Sequence, residues 1–231
     1  MNRSLPLLVV LLLLIGSILT MAIHSTYPYV QASEEARKSI MVTQEQRNEL
    51  IAASKTNDMI AFGLVGSLLC IAVAFASAKP AQAIPGAALG LVLGGGAGVA
   101  AAWLGYWFYN HPSIDIKDST MHHFLRCLLM FLPLAVAAGL SVVVARRQFV
   151  DLGTSILGAL LGVVATSAIY AMLSGLISTV EGSDKIFPHF LTNRFLIVLG
   201  SMICIGAGSA LLLNKSKKAE VAPPQTPTPQ S

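Results

Sequence analysis

The chain has 231 residues, of which 55% are hydrophobic and only 11% are charged, with a formal net charge of +4. About a quarter of the residues of a soluble globular domain are charged, because its surface must be compatible with water. The composition therefore excludes an ordinary soluble domain and predicts an integral membrane protein. The positive charge does not indicate nucleic-acid binding, because no Lys/Arg cluster is interleaved with aromatic residues.

Six apolar segments are long enough to cross a hydrocarbon core of about 30 Å as helices, which takes roughly 20 residues each. They comprise residues 5–23, 59–78, 84–109, 124–145, 152–177 and 195–213. None of them alternates polar and apolar residues as the strands of a membrane barrel do. The expected fold class is therefore all-α, a polytopic transmembrane helical bundle of about six spans.

The first segment, residues 1–23, allows two interpretations. Its apolar run follows a positively charged N terminus. Val30-Gln31-Ala32 before Ser33 fits the small-residue pattern of a signal-peptide cleavage site. The apolar run is long, however, and this candidate site lies well beyond its end. We favour an uncleaved signal anchor over a removed signal peptide, whose loss would leave five spans.

One polar region separates the first two apolar segments, and another follows the last of them. Residues 24–58 contain few helix-breaking residues, and their apolar residues recur at roughly helical spacing, which predicts an extracytoplasmic helical segment. Residues 59–213 then form the five-helix transmembrane region. Residues 214–231 are polar and rich in proline, which predicts a disordered cytoplasmic tail.

The distribution of charge predicts an orientation. If the spans alternate from a cytoplasmic N terminus, the cytoplasmic side carries most of the basic residues of the short connections and the tail: Arg3, Lys79, Arg146, Arg147, Lys215, Lys217 and Lys218. Most acidic residues then lie on the opposite side. This bias follows the positive-inside rule, so we expect a multi-pass protein of the plasma (inner) membrane with both termini cytoplasmic.

Glycine recurs at every fourth position in two of the apolar segments. The residues are Gly86, Gly90, Gly94 and Gly98 in the third segment, with Gly158 and Gly162 in the fifth. A stripe of this kind, a glycine zipper, lets a second helix approach closely. Packing between helices of one chain is the simplest interpretation, and a homo-oligomeric contact or a pore-lining face is the alternative.

The same spacing indicates an internal duplication. Gly94, Gly98, Ala102 and Tyr106 align with Gly158, Gly162, Thr166 and Tyr170. Residues 84–145 and 152–213 could thus be two copies of one helical hairpin.

Histidines suggest a candidate metal site. The four residues His111, His122, His123 and His189 lie on or near the same predicted outer face, close to several acidic residues. Imidazole and carboxylate groups together bind divalent transition metals. No recognised motif such as H-E-x-x-H is present, so ordinary interfacial histidines are the simpler interpretation.

Two arginines lie close to the predicted outer ends of spans. Arg126 is about one turn inside the fourth segment, and Arg194 immediately precedes the sixth. A charge within a membrane span is a functional candidate. Both residues are shallow enough to reach the headgroup region, so we interpret them as interfacial charges.

The absence of catalytic and coupling motifs guides the functional prediction. No Asp, Glu, Lys or His lies near the middle of a predicted span, and no cofactor motif is present. We therefore expect neither an enzyme nor a cofactor. The leading hypothesis is a scaffold or accessory subunit that contacts the lipid bilayer and either a membrane-protein partner or a second copy. The alternatives are a passive channel or small-solute transporter with Gly-lined helices, and an extracytoplasmic metal-binding protein.

Overall fold

The computed structural model describes residues 15–16, 18, 29–38, 41–110, 120–177, 200 and 203–208. The main helices in this part of the chain are α1 (Glu34–Lys38), α2 (Gln44–Ser77), α3 (Pro80–Asn110), α4 (Thr120–Arg146) and α5 (Leu152–Ile177), with a 3₁₀ turn at Phe149–Asp151. Residues 203–208 are also helical, and the described residues form no strand. The all-α class predicted from the sequence is therefore confirmed.

Four helices are long and apolar enough to cross a membrane. Their candidate spans are Gln44–Ser77, Pro80–Phe108, Phe124–Arg146 and Leu152–Met172. These spans indicate a membrane-embedded, multi-pass protein. Most of the first and sixth predicted segments lies outside the described residues, so the count of six spans and the hairpin duplication stay predictions.

The second of the predicted spans belongs to a much longer helix. α2 continues without a break from Gln44 to Ser77, across the expected boundary between residues 58 and 59. Its 34 residues extend about 51 Å at 1.5 Å per residue, well beyond the roughly 30 Å of a hydrocarbon core. The helix begins with a capping box, in which Thr43 Oγ1 accepts from the Gln46 N–H at 3.3 Å and Gln46 Oε1 accepts from the Thr43 N–H at 3.0 Å.

The transmembrane helices pack in a simple order. Only Ala78 and Lys79 separate α2 from α3, so these two helices form an antiparallel hairpin. α4 packs against both of them, and α5 packs against α4. Within the core, the rings of Phe62 on α2 and Phe131 on α4 lie 6.5 Å apart, centroid to centroid. Both side chains are almost completely buried, which places the centre of the core among α2, α3 and α4.

Two short pieces of the terminal predicted segments lie against this core. A Cβ atom built on Gly16 would lie 3.6 Å from Leu68 Cδ1, so residue 16 is beside α2. A Cβ atom on Gly206 would lie 3.6 Å from Val73 Cγ2, and the helix at residues 203–208 also contacts α5. Both ends of the apolar region therefore pack beside α2.

Candidate functional site

A polar cluster lies at the end of the bundle where α2 enters the packed core. It consists of Asn57 and Asp58 on α2, Tyr106 on α3 and Arg126 on α4, and is called here the polar end cluster. Asp58 is only 5% exposed. Phe62, one turn further along α2, belongs to the apolar core, so the buried acid lies at the edge of that core. Burial of a carboxylate is unfavourable unless hydrogen bonds or charges compensate it, so the surroundings of Asp58 are informative.

The Asp58 carboxylate is bound by a residue from the neighbouring helix. Tyr106 donates a hydrogen bond from its hydroxyl to Asp58 Oδ2 at 2.8 Å. Lys55 Nζ lies 5.9 Å from the centroid of the Tyr106 ring, within the range of a cation–π interaction. Tyr106 therefore links α3 to α2 through both its hydroxyl and its ring.

Arg126 brings a third helix to the same level. It lies about one turn before Phe131 on α4, just as Asp58 lies one turn before Phe62 on α2. The contacts of Phe62 with Phe131 and of Gly66 with Leu134 show that α2 and α4 run in the same direction, so Asp58 and Arg126 lie near the same end of the bundle. Arg126 is only 3% exposed, so its side chain lies inside the protein rather than on the lipid-facing surface.

The chain before α2 folds back along that helix. Val30 donates its N–H to Asn57 Oδ1 at 2.7 Å, and Asn57 Nδ2 donates to the Val30 carbonyl oxygen at 2.8 Å. Further along, the N–H and hydroxyl of Ser33 donate to the two oxygens of Glu49, at 2.6 and 2.9 Å. Residues 29–38, called here the folded-back segment, are thus held on α2 at two points.

The same serine also begins α1. Ser33 Oγ accepts a hydrogen bond from the Ala36 N–H at 3.3 Å, as the first residue before a helix commonly does. Ala32 and Ala36 are buried, which seats this short helix against its surroundings. The folded-back segment and residues 41–57 together form a small unit, which is called here the extramembrane module because it precedes the apolar part of α2.

The glycine stripe of α3 contacts other helices of the same chain. A Cβ atom on Gly94 would overlap the carbonyl oxygen of Gly66, and a Cβ atom on Gly98 would overlap that of Phe62. Gly86 faces α4 instead, where its Cβ would lie 2.6 Å from the Ser141 carbonyl oxygen. Only glycine permits such an approach of two backbones.

The remaining glycines of the predicted stripe also lie at helix contacts. A Cβ atom on Gly90 would be 2.9 Å from Cys70 Cβ and 3.0 Å from Ser141 Oγ, between α2 and α4. In α5, a Cβ atom on Gly162 would overlap the carbonyl oxygen of Cys204, while the Gly158 carbonyl lies against Gly208. Residues 203–208 are thus seated in the groove that the glycines of α5 form.

The histidine hypothesis falls on residues that the structure does not describe. His111 and His189 lie outside the described residues, as does Arg194, and so do the side chains of His122 and His123. Among the described residues, no group of three or more His, Cys, Asp and Glu could hold a metal ion. Metal binding at these histidines stays a prediction.

Sequence reasoning did not single out the Asp58–Tyr106 pair. The sequence places Asp58 at the end of the polar segment that precedes the second span. Its spacing contained a signal, since Asp58 occupies the same helix stripe as Phe62, Val65 and Leu69, which are all buried. An acid on the buried stripe of a helix predicts a partner from another element, but not which one.

Comparison with known protein families, with curated proteins and with solved structures finds no match to this chain.

Proposed function

We propose that this chain is a non-enzymatic scaffold or accessory subunit of a membrane complex, and that its extramembrane module contacts the partner protein. The observation that carries the proposal is the extension of α2 beyond the length needed for a span, with the folded-back segment attached to it. Four hydrogen bonds hold that segment through Asn57 and Glu49. A module organised in this way offers a defined surface to a partner.

Exposed apolar side chains on the module support a role in protein contact. Met41 is 88% exposed, and Val42 and Ile51 are also exposed. All three precede the apolar part of α2, so the hydrocarbon core does not cover them. Contiguous apolar groups exposed to water often mark protein–protein contact sites, and Met41 and Val42 are adjacent in the chain.

The packing of the glycine stripe favours a static bundle over a channel. The faces of Gly94 and Gly98 are occupied by the backbone of α2, and the face of Gly86 by that of α4. A stripe that is filled by neighbouring helices does not line a pore. The same packing gives no reason to assign the stripe to a contact between copies of the chain.

The orientation that we propose has both termini in the cytoplasm and the chain in the plasma (inner) membrane. Its support is the clustering of charge along the bundle. One end of the bundle has two connections between helices, and these contain or adjoin Lys79, Arg146 and Arg147. A hydrogen bond from Arg146 to the Ser77 carbonyl oxygen joins the two connections. Acidic residues of the module, such as Glu49, lie towards the other end. Labelling of single cysteines placed at Lys79 and at Glu45 with a membrane-impermeant reagent tests the assignment, which predicts labelling of intact cells only at residue 45.

The function is tested by purification of the full chain with a C-terminal tag from crosslinked native membranes. We expect a stoichiometric membrane-protein partner that is lost in the double variant Met41→Asp/Ile51→Asp. The matched control, Gln44→Glu/Asn48→Asp, adds two negative charges to exposed polar positions of the same module and retains the partner. Recovery of the chain alone, or solute-selective flux through proteoliposomes that contain only this chain, would contradict the proposal.

A further inference from the structure

The two connections at the basic end of the bundle are joined to each other. One is the turn between α2 and α3, which contains Lys79, and the other runs from Arg147 to Asp151 between α4 and α5. Arg146 donates from Nε to the Ser77 carbonyl oxygen at 3.0 Å, across 69 positions of sequence. The bond satisfies a carbonyl at the C-terminal end of α2 and fixes a guanidinium between the two connections.

The end of α4 brings a second arginine to this surface. Arg147 has a φ of 56°, in the left-handed region that non-glycine residues seldom adopt, and its side chain is exposed. The helix closes around it with hydrogen bonds from Arg147 N–H to the Val144 oxygen at 3.2 Å and from Gln148 N–H to the Val143 oxygen at 3.3 Å. Glycine is the usual residue at such a helix end, so Arg147 occupies a position whose backbone conformation favours another residue.

Apolar side chains lie next to these cations. Phe149 is 74% exposed and Val150 is 95% exposed, although both are in the short connection between two spans. At the end of a transmembrane helix such side chains belong in the boundary between headgroups and acyl chains. The adjacent cations are then at the level of the lipid phosphates. The two connections and the adjoining end of α4 contain three cations, Lys79, Arg146 and Arg147, and one acid, Asp151. They therefore have an excess of positive charge.

We propose that Lys79, Arg147, Phe149 and Val150 form a binding surface for an anionic phospholipid, which Arg146 supports by joining the two connections. The headgroup phosphate contacts the cations, and Phe149 and Val150 insert among the acyl chains. Charge complementarity carries the choice of occupant, because Lys and Arg beside a membrane attract anionic headgroups. The planar guanidinium also matches the geometry of a phosphate. The surface uses none of the residues of the extramembrane module, so this inference is independent of the proposed partner.

The test uses the full chain purified in a mild non-ionic detergent, with phosphatidylglycerol and phosphatidylcholine of the same acyl chains as probes. Native mass spectrometry measures how much of each lipid remains bound, and thermal unfolding measures the shift that each lipid produces. We expect phosphatidylglycerol to be retained preferentially and to raise Tm more than phosphatidylcholine does. In Lys79→Gln/Arg147→Gln we expect its affinity to fall by about tenfold, since each cation near the headgroups contributes to the attraction.

The matched control is Arg37→Gln/Arg47→Gln, which removes two exposed cations from the extramembrane module and leaves the affinity unchanged. Equal loss in both double variants, or no preference of the wild type for phosphatidylglycerol, would overturn the proposal. Phe149→Ser should weaken retention of both lipids while the preference for the anionic headgroup remains.

A measurement on the unmodified protein covers the case in which the basic variant does not fold. Attraction between exposed charges is screened by salt, with a Debye length of about 3 Å at 1 M. Retention of phosphatidylglycerol by the wild type should therefore decrease severalfold between 0.05 and 1 M NaCl (concentrations chosen to span about 14 to 3 Å of screening length). Salt-independent retention would rule out a headgroup site built on these cations.

Discussion

Tyr106 donates a hydrogen bond of 2.8 Å to the carboxylate of Asp58, and this bond joins α3 to α2 where both helices leave the apolar core. The two residues are 48 positions apart, so the contact exists only because α2 and α3 pack as a hairpin. The hydroxyl helps to compensate for the burial of the carboxylate, because a buried acid needs hydrogen bonds in place of those that it would make to water.

Removal of that hydroxyl should destabilise the bundle. We expect Tyr106→Phe to lower the free energy of unfolding by about 1–3 kcal/mol, because the buried carboxylate loses a hydrogen bond. Reversible unfolding in detergent, followed by circular dichroism, measures the change. The double variant Tyr106→Phe/Asp58→Asn should cost less than the sum of the two single variants, since they remove the same interaction. Strict additivity would mean that the pair is not coupled.

Addition of a single methyl group where α2 and α3 cross should destabilise the contact between these helices. Gly94→Ala places a Cβ against the backbone of Gly66 and against Cys70 Sγ, so we expect a loss of about 1–3 kcal/mol, as for overpacked cores. Gly96 lies on the same helix with nothing within 4 Å of its Cβ position. Gly96→Ala should therefore be neutral or stabilising by up to about 1 kcal/mol, because alanine favours the helix. Equal effects of the two variants on Tm would contradict the packing argument.

The folded-back segment should detach from α2 when the side-chain amide of Asn57, called here the clamp, is removed. Asn57→Ala eliminates both hydrogen bonds to Val30, and we expect faster hydrogen exchange and faster tryptic cleavage after Arg37 and Lys38. Thr56→Ala is the matched control, because the Thr56 hydroxyl bonds only to the Ala52 carbonyl of its own helix. If both variants have wild-type protection of residues 29–38, the clamp does not hold the segment.

The clamp also predicts the fate of the N-terminal segment. Val30 precedes the candidate cleavage site after Ala32, so the Val30–Asn57 hydrogen bonds exist only in a chain that is not cut at that site. We expect peptide mass mapping of the purified protein to find the peptide bond between Ala32 and Ser33 intact. A mass that corresponds to a start at Ser33 would contradict the uncleaved anchor and would leave Asn57 without these two bonds.

The helical class and the membrane environment could be read from composition and segment length, because lipid leaves backbone groups no partners outside a helix. The end of the polar segment could not be placed in the same way. Hydropathy changes near residue 58, and a boundary was expected there, but α2 continues through it. A helix is continued by its own hydrogen bonds whether its side chains face water or lipid, so a change in polarity does not end it.

The helical class, the apolar segments and the spacing of glycine follow from the sequence alone, because they depend on local periodicity and on the length needed to cross a bilayer. The packing of the helices determines which helix each glycine contacts, with Gly94 against Gly66 and Gly86 against α4. It also brings the buried Asp58 and Arg126 to the same end of the bundle and joins two connections through Arg146. These relationships depend on the rotation and register of helices that are distant in sequence, and periodicity within one helix contains no information about its neighbours.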